Sequence, residues 1–160
     1  RETDAYLAGH KIDGRIILPG AKLALIVWKI FAKLRKINFE KLPIIFENVW
    51  FQRITFLSKK KPIKLLVRIF EETGDFVVCE LDTVIFSGNI RAAERVEKDL
   101  NRPLPLLPIP PTYKELLLPL STEDVYKELR LRGYEYSGFF KGIKSSDSYC
   151  IVGELFWFNE

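Results

Sequence analysis

The stretch from Gly20 to Lys36 limits what this chain can become. Leu23, Ile26, Ile30 and Leu34 recur at three- and four-residue steps, with Val27 and Phe31 beside them and Trp28 widening the stripe, while Lys29, Lys33 and Lys36 lie towards the other side. That period predicts an amphipathic helix, and its wide apolar face predicts a well-buried one. Pro19-Gly20 suits its start and the basic "KLRK" its end. Strand-like runs follow: "IIFENVWFQRITFL" (44–57), "IKLLVRIFE", "FVVCEL" and "TVIFSGNIR", with "KKK" and Pro62 as a solvated turn and Phe70–Thr73–Gly74–Phe76 as a hairpin. One long helix followed by an antiparallel meander is an α+β arrangement.

Residues 101–111, "NRPLPLLPIPP", then change the texture. Proline fixes φ and removes amide donors, so this segment reads as an extended linker. After it, "STEDVYKELRLRG" carries helix signals in order: Ser121 as cap, Asp124 at the capping-box position and Gly133 at the end. "YEYSGFFKGI" and "SYCIVGELFWF" read as β-like, joined by the polar turn "KSSDS". The expected divisions are residues 1–95, a linker at 96–120, and a second body at 121–160.

Composition narrows the function classes. With 160 residues, 48% hydrophobic and 29% charged, the chain has enough apolar side chains for one globular domain. A net charge of +4 suits an acidic partner and is too weak to argue for nucleic acid. Cys79 and Cys150 make no metal spacing and no disulfide framework, so two free thiols in a reducing, cytoplasmic setting are expected. The greasiest run, Ile16 to Phe31, carries Lys22 and Lys29 and is too short to span a bilayer. The opening "RETDAYLAGHK" lacks the apolar run of a secretory signal. No methionine occurs anywhere, and "GELFWFNE" resembles a strand stopped in mid-sheet, so the expectation is a piece of something longer.

The chain's only histidine is His10, in "HKIDGRIILP". A single histidine is most often a surface residue or a satisfied core group; the context here argues for more. A histidine near a helix N-terminus tends to stay neutral, and a neutral imidazole is a base suited to pH near 7. Gly14 allows close backbone approach, so its amide could polarise a carbonyl, and Pro19 turns the chain into the helix. Ordinary propensity gives no reason to bring the three together. Base, amide donor and rigid bend suit proton abstraction beside a carbonyl.

His10-x-x-x-Gly14-x-x-x-x-Pro19 resembles the HxxxGxxxxP signature of dehydratase domains in animal fatty acid synthases and polyketide synthases. "YLAGHKIDGRIILPG", "LIVWKIFAK", "LPIIFENVWFQRITFL", "TVIFSGNI" and "DVYKELRLRGYEY" resemble the animal fatty acid synthase version in order, across nearly the whole chain. The resemblance implies a double hotdog, in which an antiparallel sheet wraps round a long central helix twice. Here it implies the first hotdog and the opening of the second. It also implies dehydration of 3-hydroxyacyl-acyl carrier protein to the trans-2-enoyl product. His10 would be the catalytic base, Gly14 the substrate-binding amide on the thioester carbonyl, and Pro19 the positioner. The implied partners are acyl carrier protein, with its phosphopantetheine-linked chain, and the other domains of a homodimeric megasynthase. No cofactor is implied, and no nucleic acid or membrane span is expected.

Three departures stand out. The family's acid is an Asp in a DxxxQ or DxxxH motif, and no Asp here fits: four places after Asp4, Asp13, Asp75, Asp82, Asp99, Asp124 and Asp147 stand Ala8, Ile17, Cys79, Phe86, Pro103, Glu128 and Ile151. "YGPxFQG" reads "YSGFFKG", with Ser137, Gly138 and Lys141 in altered places, and Ala21, Lys22 and Leu23 replace the usual residues after the proline. The alternative reading is therefore a non-catalytic dehydratase-like scaffold or dimerisation module; a stand-alone hotdog thioesterase is a third. Lys59–Lys61 with Lys64, and Lys33, Arg35, Lys36 with Lys41, read most simply as solvated faces, or else as docking points for acidic carrier protein. Cys79, Tyr134, Tyr136 and Phe139–Phe140 read as core.

Overall fold

The computed structural model describes residues 2–58, 61–93, 118–148 and 153–155. In chain order its elements are a 3-10 helix (Glu2–Gly9), β1 (Lys11–Ile12), β2 (Arg15–Ile16), α1 (Gly20–Leu34), a 3-10 turn (Phe39–Lys41), β3 (Ile44–Phe51), β4 (Leu65–Ile69), β5 (Asp75–Glu80), β6 (Thr83–Ala92), β7 (Pro119–Ser121), α2 (Thr122–Leu131), a 3-10 turn (Gly138–Phe140), β8 (Ile143–Asp147) and β9 (Gly153–Leu155). They fall into two compact units, Leu18–Leu104 and Arg1–Ile17 with Pro105–Glu160.

In the Leu18–Leu104 unit, α1 lies on a four-stranded antiparallel sheet of order β3-β6-β5-β4. Alternation explains the strands. Leu65, Val67 and Ile69 of β4, Phe76 and Val78 of β5, and Phe86 and Ile90 of β6 reach the same core as α1. Between Val78 and Cys79 the pairing with β6 slips by one residue, so adjacent Ile85 and Phe86 are both buried. A second irregularity between Glu47 and Trp50 accompanies Asn48 at φ 50°. There Gly88 faces the Glu47 and Asn48 carbonyls, where an added Cβ would lie 3.1 and 3.2 Å from them.

The helix forms where its period predicts, but its buried line is Leu23–Val27–Phe31 with Ala32; Ile26 and Ile30 are half-buried and Leu34 is 45% exposed. Pro19 (φ −62°, ψ 140°) starts it, its carbonyl accepting the N–H groups of Lys22 (3.0 Å) and Leu23 (3.3 Å). Trp28 donates Nε1–H to the Leu42 carbonyl at 3.0 Å and meets Phe39 edge-on. The strand expected over 44–57 stops at Phe51; beyond it the Gln52 and Arg53 N–H groups both turn to the Ile85 carbonyl. Lys33, Arg35, Lys36, Lys41, Lys61 and Lys64 are exposed, as solvated faces require. Cys79 is half-buried in β5 rather than fully buried.

In the other unit, α2 packs on a three-stranded antiparallel sheet of order β7-β8-β9. The capping box is present, with Ser121 and Asp124 exchanging hydrogen bonds, and Gly133 (φ 87°) follows the helix end. Tyr126 is 3% exposed; its hydroxyl accepts the Ile143 N–H (3.0 Å) and donates to the Phe140 carbonyl (3.3 Å). The segment expected to be a polar turn, "KSSDS", is mostly strand: β8 is hydrogen-bonded on both sides, and that pairing overrides weak β-propensity. Of the expected 96–120 linker only residues 118–120 are described, and Pro119 and Leu120 belong to β7 rather than to a linker. The remainder of that linker, Cys150 and most of "SYCIVGELFWF" lie outside the described residues.

Hydrogen bonds from Ser121, side chain first and then backbone, hold the Asp124 carboxyl below its ordinary value of 3.8. The folded form therefore binds this proton less readily than the unfolded one. Its contribution to α2 is complete above about pH 4 and is lost as the pH falls through the lower folded value. A circular dichroism titration should show helix loosening only below that point, and Asp124→Asn should start from a lower plateau with a flatter acid limb.

Candidate active site

His10 sits where the 3-10 helix gives way to the β1–β2 hairpin. Asp13 (φ 47°) and Gly14 (φ 74°) both adopt left-handed backbone conformations, the geometry of a two-residue type I′ turn, for which Asp-Gly is a favoured pair. The turn pairs Ile12 with Arg15 and Lys11 with Ile16. One step further, the Ile17 N–H donates to the His10 carbonyl (3.0 Å), and His10 Nδ1 lies 2.9 Å from the Ile17 carbonyl oxygen. A carbonyl can only accept, so a neutral ring must carry its proton on Nδ1, and Nε2 is left with its lone pair.

The ring is walled by aromatics. Tyr136 stacks on it at 5.2 Å and 24°, and Phe140 lies at 5.0 Å and 57°. Tyr6 in turn stacks on Phe140 and meets Phe139 edge-on. Burial foremost, and then Tyr134 and Tyr126, push the Tyr136 phenol up from its ordinary value, so its hydroxyl keeps its proton at neutral pH. Tyr136 and Phe140, read from the sequence as core, instead flank the histidine, and Phe139, read likewise, is 55% exposed.

The wall is held by a strand-like pairing. The Ser137 N–H donates to the Gly9 carbonyl (3.0 Å), the Glu135 N–H to Lys11 (2.8 Å) and the Asp13 N–H to Gly133 (2.8 Å). Residues 133–137 thus run antiparallel to β1, as the β-like reading of "YEYSGFFKGI" requires, before the turn at Gly138–Phe140. The approach is tight at Gly133, where φ is +87° and an added Cβ would run into the Asp13 carboxylate. Gly133→Ala should cost about 1–3 kcal/mol in urea unfolding, the strain of an L side chain at φ +87°, since the exposed Asp13 carboxylate can swing aside.

The Gly14 amide, expected to hold a substrate carbonyl, has a side-chain partner. Its N–H donates to Glu135 Oε1 at 2.8 Å, at the hairpin tip, two residue pairs from His10. That amide has its partner within the protein, and the glycine's φ of 74° serves the turn. Pro19 belongs to the Leu18–Leu104 unit, where it starts α1. Sequence reading missed Glu135; the Asp13-Gly14 dipeptide was a signal for the hairpin it holds. Among the described residues, no three His, Cys, Asp or Glu side chains come together to hold a metal ion, and no helix is long and apolar enough to cross a membrane.

No protein-family model matches the chain. Solved structures do. The dehydratase domain of PpsC from Mycobacterium tuberculosis, determined with C12:1-CoA, gives a TM-score of 0.65 at 18% identity, over 89% of this chain and 49% of that one. The dehydratase domain from the CurF module of curacin polyketide synthase gives 0.62 at 16%, over 90% and 52%. That from the CurK module gives 0.57 at 15%, over 91% and 50%. A histidine-to-phenylalanine variant of the CurK dehydratase is inactive, and so is an aspartate-to-asparagine variant. The chain therefore has the hotdog fold of the polyketide synthase dehydratase domains, as its resemblance implied, and spans about half the length of the domains it matches.

Proposed function

We propose that this chain carries the base half of a dehydratase that removes water from 3-hydroxyacyl thioesters within a fatty acid or polyketide synthase. His10 Nε2 takes the α-proton, and the β-hydroxyl leaves as water to give the trans-2-enoyl thioester. The observation that carries this reading is the Nδ1 contact with the Ile17 carbonyl, which leaves Nε2 as the acceptor. Gly14 contributes the turn that returns Ile17 to His10, and Pro19 the bend into α1. The inactivity of the CurK histidine variant, and the thioester held by PpsC, agree with this chemistry.

The acid lies outside these residues, since no Asp has Gln or His four places on. The substrate arrives on the phosphopantetheine arm of an acyl carrier protein, in the cytoplasm, with other synthase domains and a second copy as partners. The occupied Gly14 amide favours the alternative of a non-catalytic module, and one assay separates the two. A 3-hydroxyacyl-pantetheine thioester is incubated in deuterated water with the chain, alone and lengthened past Glu160. Deuterium at the α-carbon, and enoyl product from the longer chain, both lost on removing His10, are expected. Neither reaction from either protein would leave the scaffold reading standing.

A further inference from the structure

A hairpin with two residues per strand is too short to hold its own shape in water, and the backbone pairing with residues 133–137 supports its first strand, not its second. Yet the bond that selects the His10 tautomer depends on it, because Ile17 reaches His10 only if both strands keep register from the Asp13-Gly14 turn. One side chain grips both ends of this device. Glu135 Oε1 accepts the Gly14 N–H at 2.8 Å, and Oε2 accepts Lys11 Nζ at 2.6 Å. Its own backbone N–H donates to the Lys11 carbonyl, and the next residue, Tyr136, stacks on the imidazole.

We propose that Glu135 is a positioning residue for His10: its carboxylate clamps the turn and the first strand, and so keeps Nδ1–H on the Ile17 carbonyl and Nε2 bare. This rests on the reading of His10 as the base. The ion pair with Lys11 alone would not carry such a role, since the two side chains are 39% and 40% exposed and exposed pairs contribute little. The charge-assisted bond from the Gly14 amide is the stronger part, because it pins a turn rather than a flexible side chain. The Glu135 carboxyl is held below its ordinary value, by Lys11 first and the Gly14 amide second, so it is charged wherever His10 can serve as a base.

The sole histidine makes the test direct, since one imidazole gives one set of signals in a nitrogen–proton correlation spectrum. The 160-residue chain should show the Nδ1-protonated form, measured on the alkaline side of the imidazole titration. Glu135→Ala should give a mixture of tautomers and a Gly14 amide that exchanges with solvent about tenfold faster. Glu135→Gln keeps an oxygen for the Gly14 N–H and loses the ion pair, so it should restore both readings. Should the alanine variant not fold, Glu135→Asp serves: one methylene shorter, it cannot reach Gly14 and Lys11 together, and should give the mixture in part. An unchanged tautomer in either, or a mixture in Glu135→Gln as large as in the folded alanine variant, overturns the proposal. These spectra need no substrate, so the clamp can fail while His10 remains the base, and can hold if the dehydratase reading fails.

Discussion

On the proposed chemistry, exchanging His10 for asparagine should leave the elimination about 10²–10⁴-fold slower, with the fold retained. Asparagine is the informative choice because its side-chain amide can still donate to the Ile17 carbonyl, the contact that ties the ring to the hairpin. What it lacks is the Nε2 lone pair. Phenylalanine or alanine would remove that bond as well, and mix a loosened hairpin with a lost base. A loss of this size corresponds to about 3–5 kcal/mol in the barrier, the usual worth of one positioned proton-transfer group. The loss should fall on kcat, since Tyr136 and Phe140 still line the site beside the substituted residue. Because no Asp in these 160 residues has Gln or His four places on, the measurement belongs on the chain lengthened past Glu160, with α-carbon deuterium exchange read beside product formation. An asparagine variant that keeps more than about a tenth of the rate would remove His10 from the chemistry.

What could be read from the sequence was what local physics decides. The three- and four-residue steps of Leu23, Ile26, Ile30 and Leu34 with Val27 and Phe31 beside them, the alternation of Leu65, Val67 and Ile69, and the Ser121–Asp124 cap are short-range patterns, and each element forms close to where it is expected. Misreadings arose where pairing partners decide. "IKSSD" has too few β-formers to announce a strand, and becomes one because β7 and β9 bond to it on both sides. The buried line of α1 runs along Leu23–Val27–Phe31 rather than Ile26, Ile30 and Leu34, and the bulge in β6 that turns both Ile85 and Phe86 inward is a one-residue slip that no periodicity announces.

The site divides in the same way. His10, Gly14 and Pro19 stand at a spacing that can be read, and Asp13-Gly14 explains the middle of it as a turn. The carboxylate that takes the Gly14 amide comes from 121 residues away, and nothing in "GYEYSG" marks Glu135 as anything but solvated. The amide expected to hold a substrate carbonyl thus has a partner that only the folded chain reveals. The tyrosine beside Glu135 moves in the same direction, from core filler to a wall on the imidazole.

Phe86→Ala should cost the Leu18–Leu104 unit about 3–5 kcal/mol, the largest loss of any single truncation in its core. The side chain is 0% exposed. It stacks on Phe51 at 4.6 Å and 18°, and packs against Phe76 at 5.0 Å and 51°, so its removal strips a ring contact from two other aromatics at once. The site is poorly able to collapse into the space. Ile85 beside it is already buried at the bulge, and its carbonyl is held by the Gln52 and Arg53 amides, which fixes the backbone from the β3 side. Trp50→Ala gives the contrast: larger in volume but 69% exposed, it should cost within about 0.5 kcal/mol. Urea unfolding followed by circular dichroism separates the two, with the midpoint displaced and the slope unchanged for Phe86→Ala. A loss below about 1 kcal/mol would mean that the neighbouring side chains close into the space after truncation, and that the ring contacts with Phe51 and Phe76 contribute little.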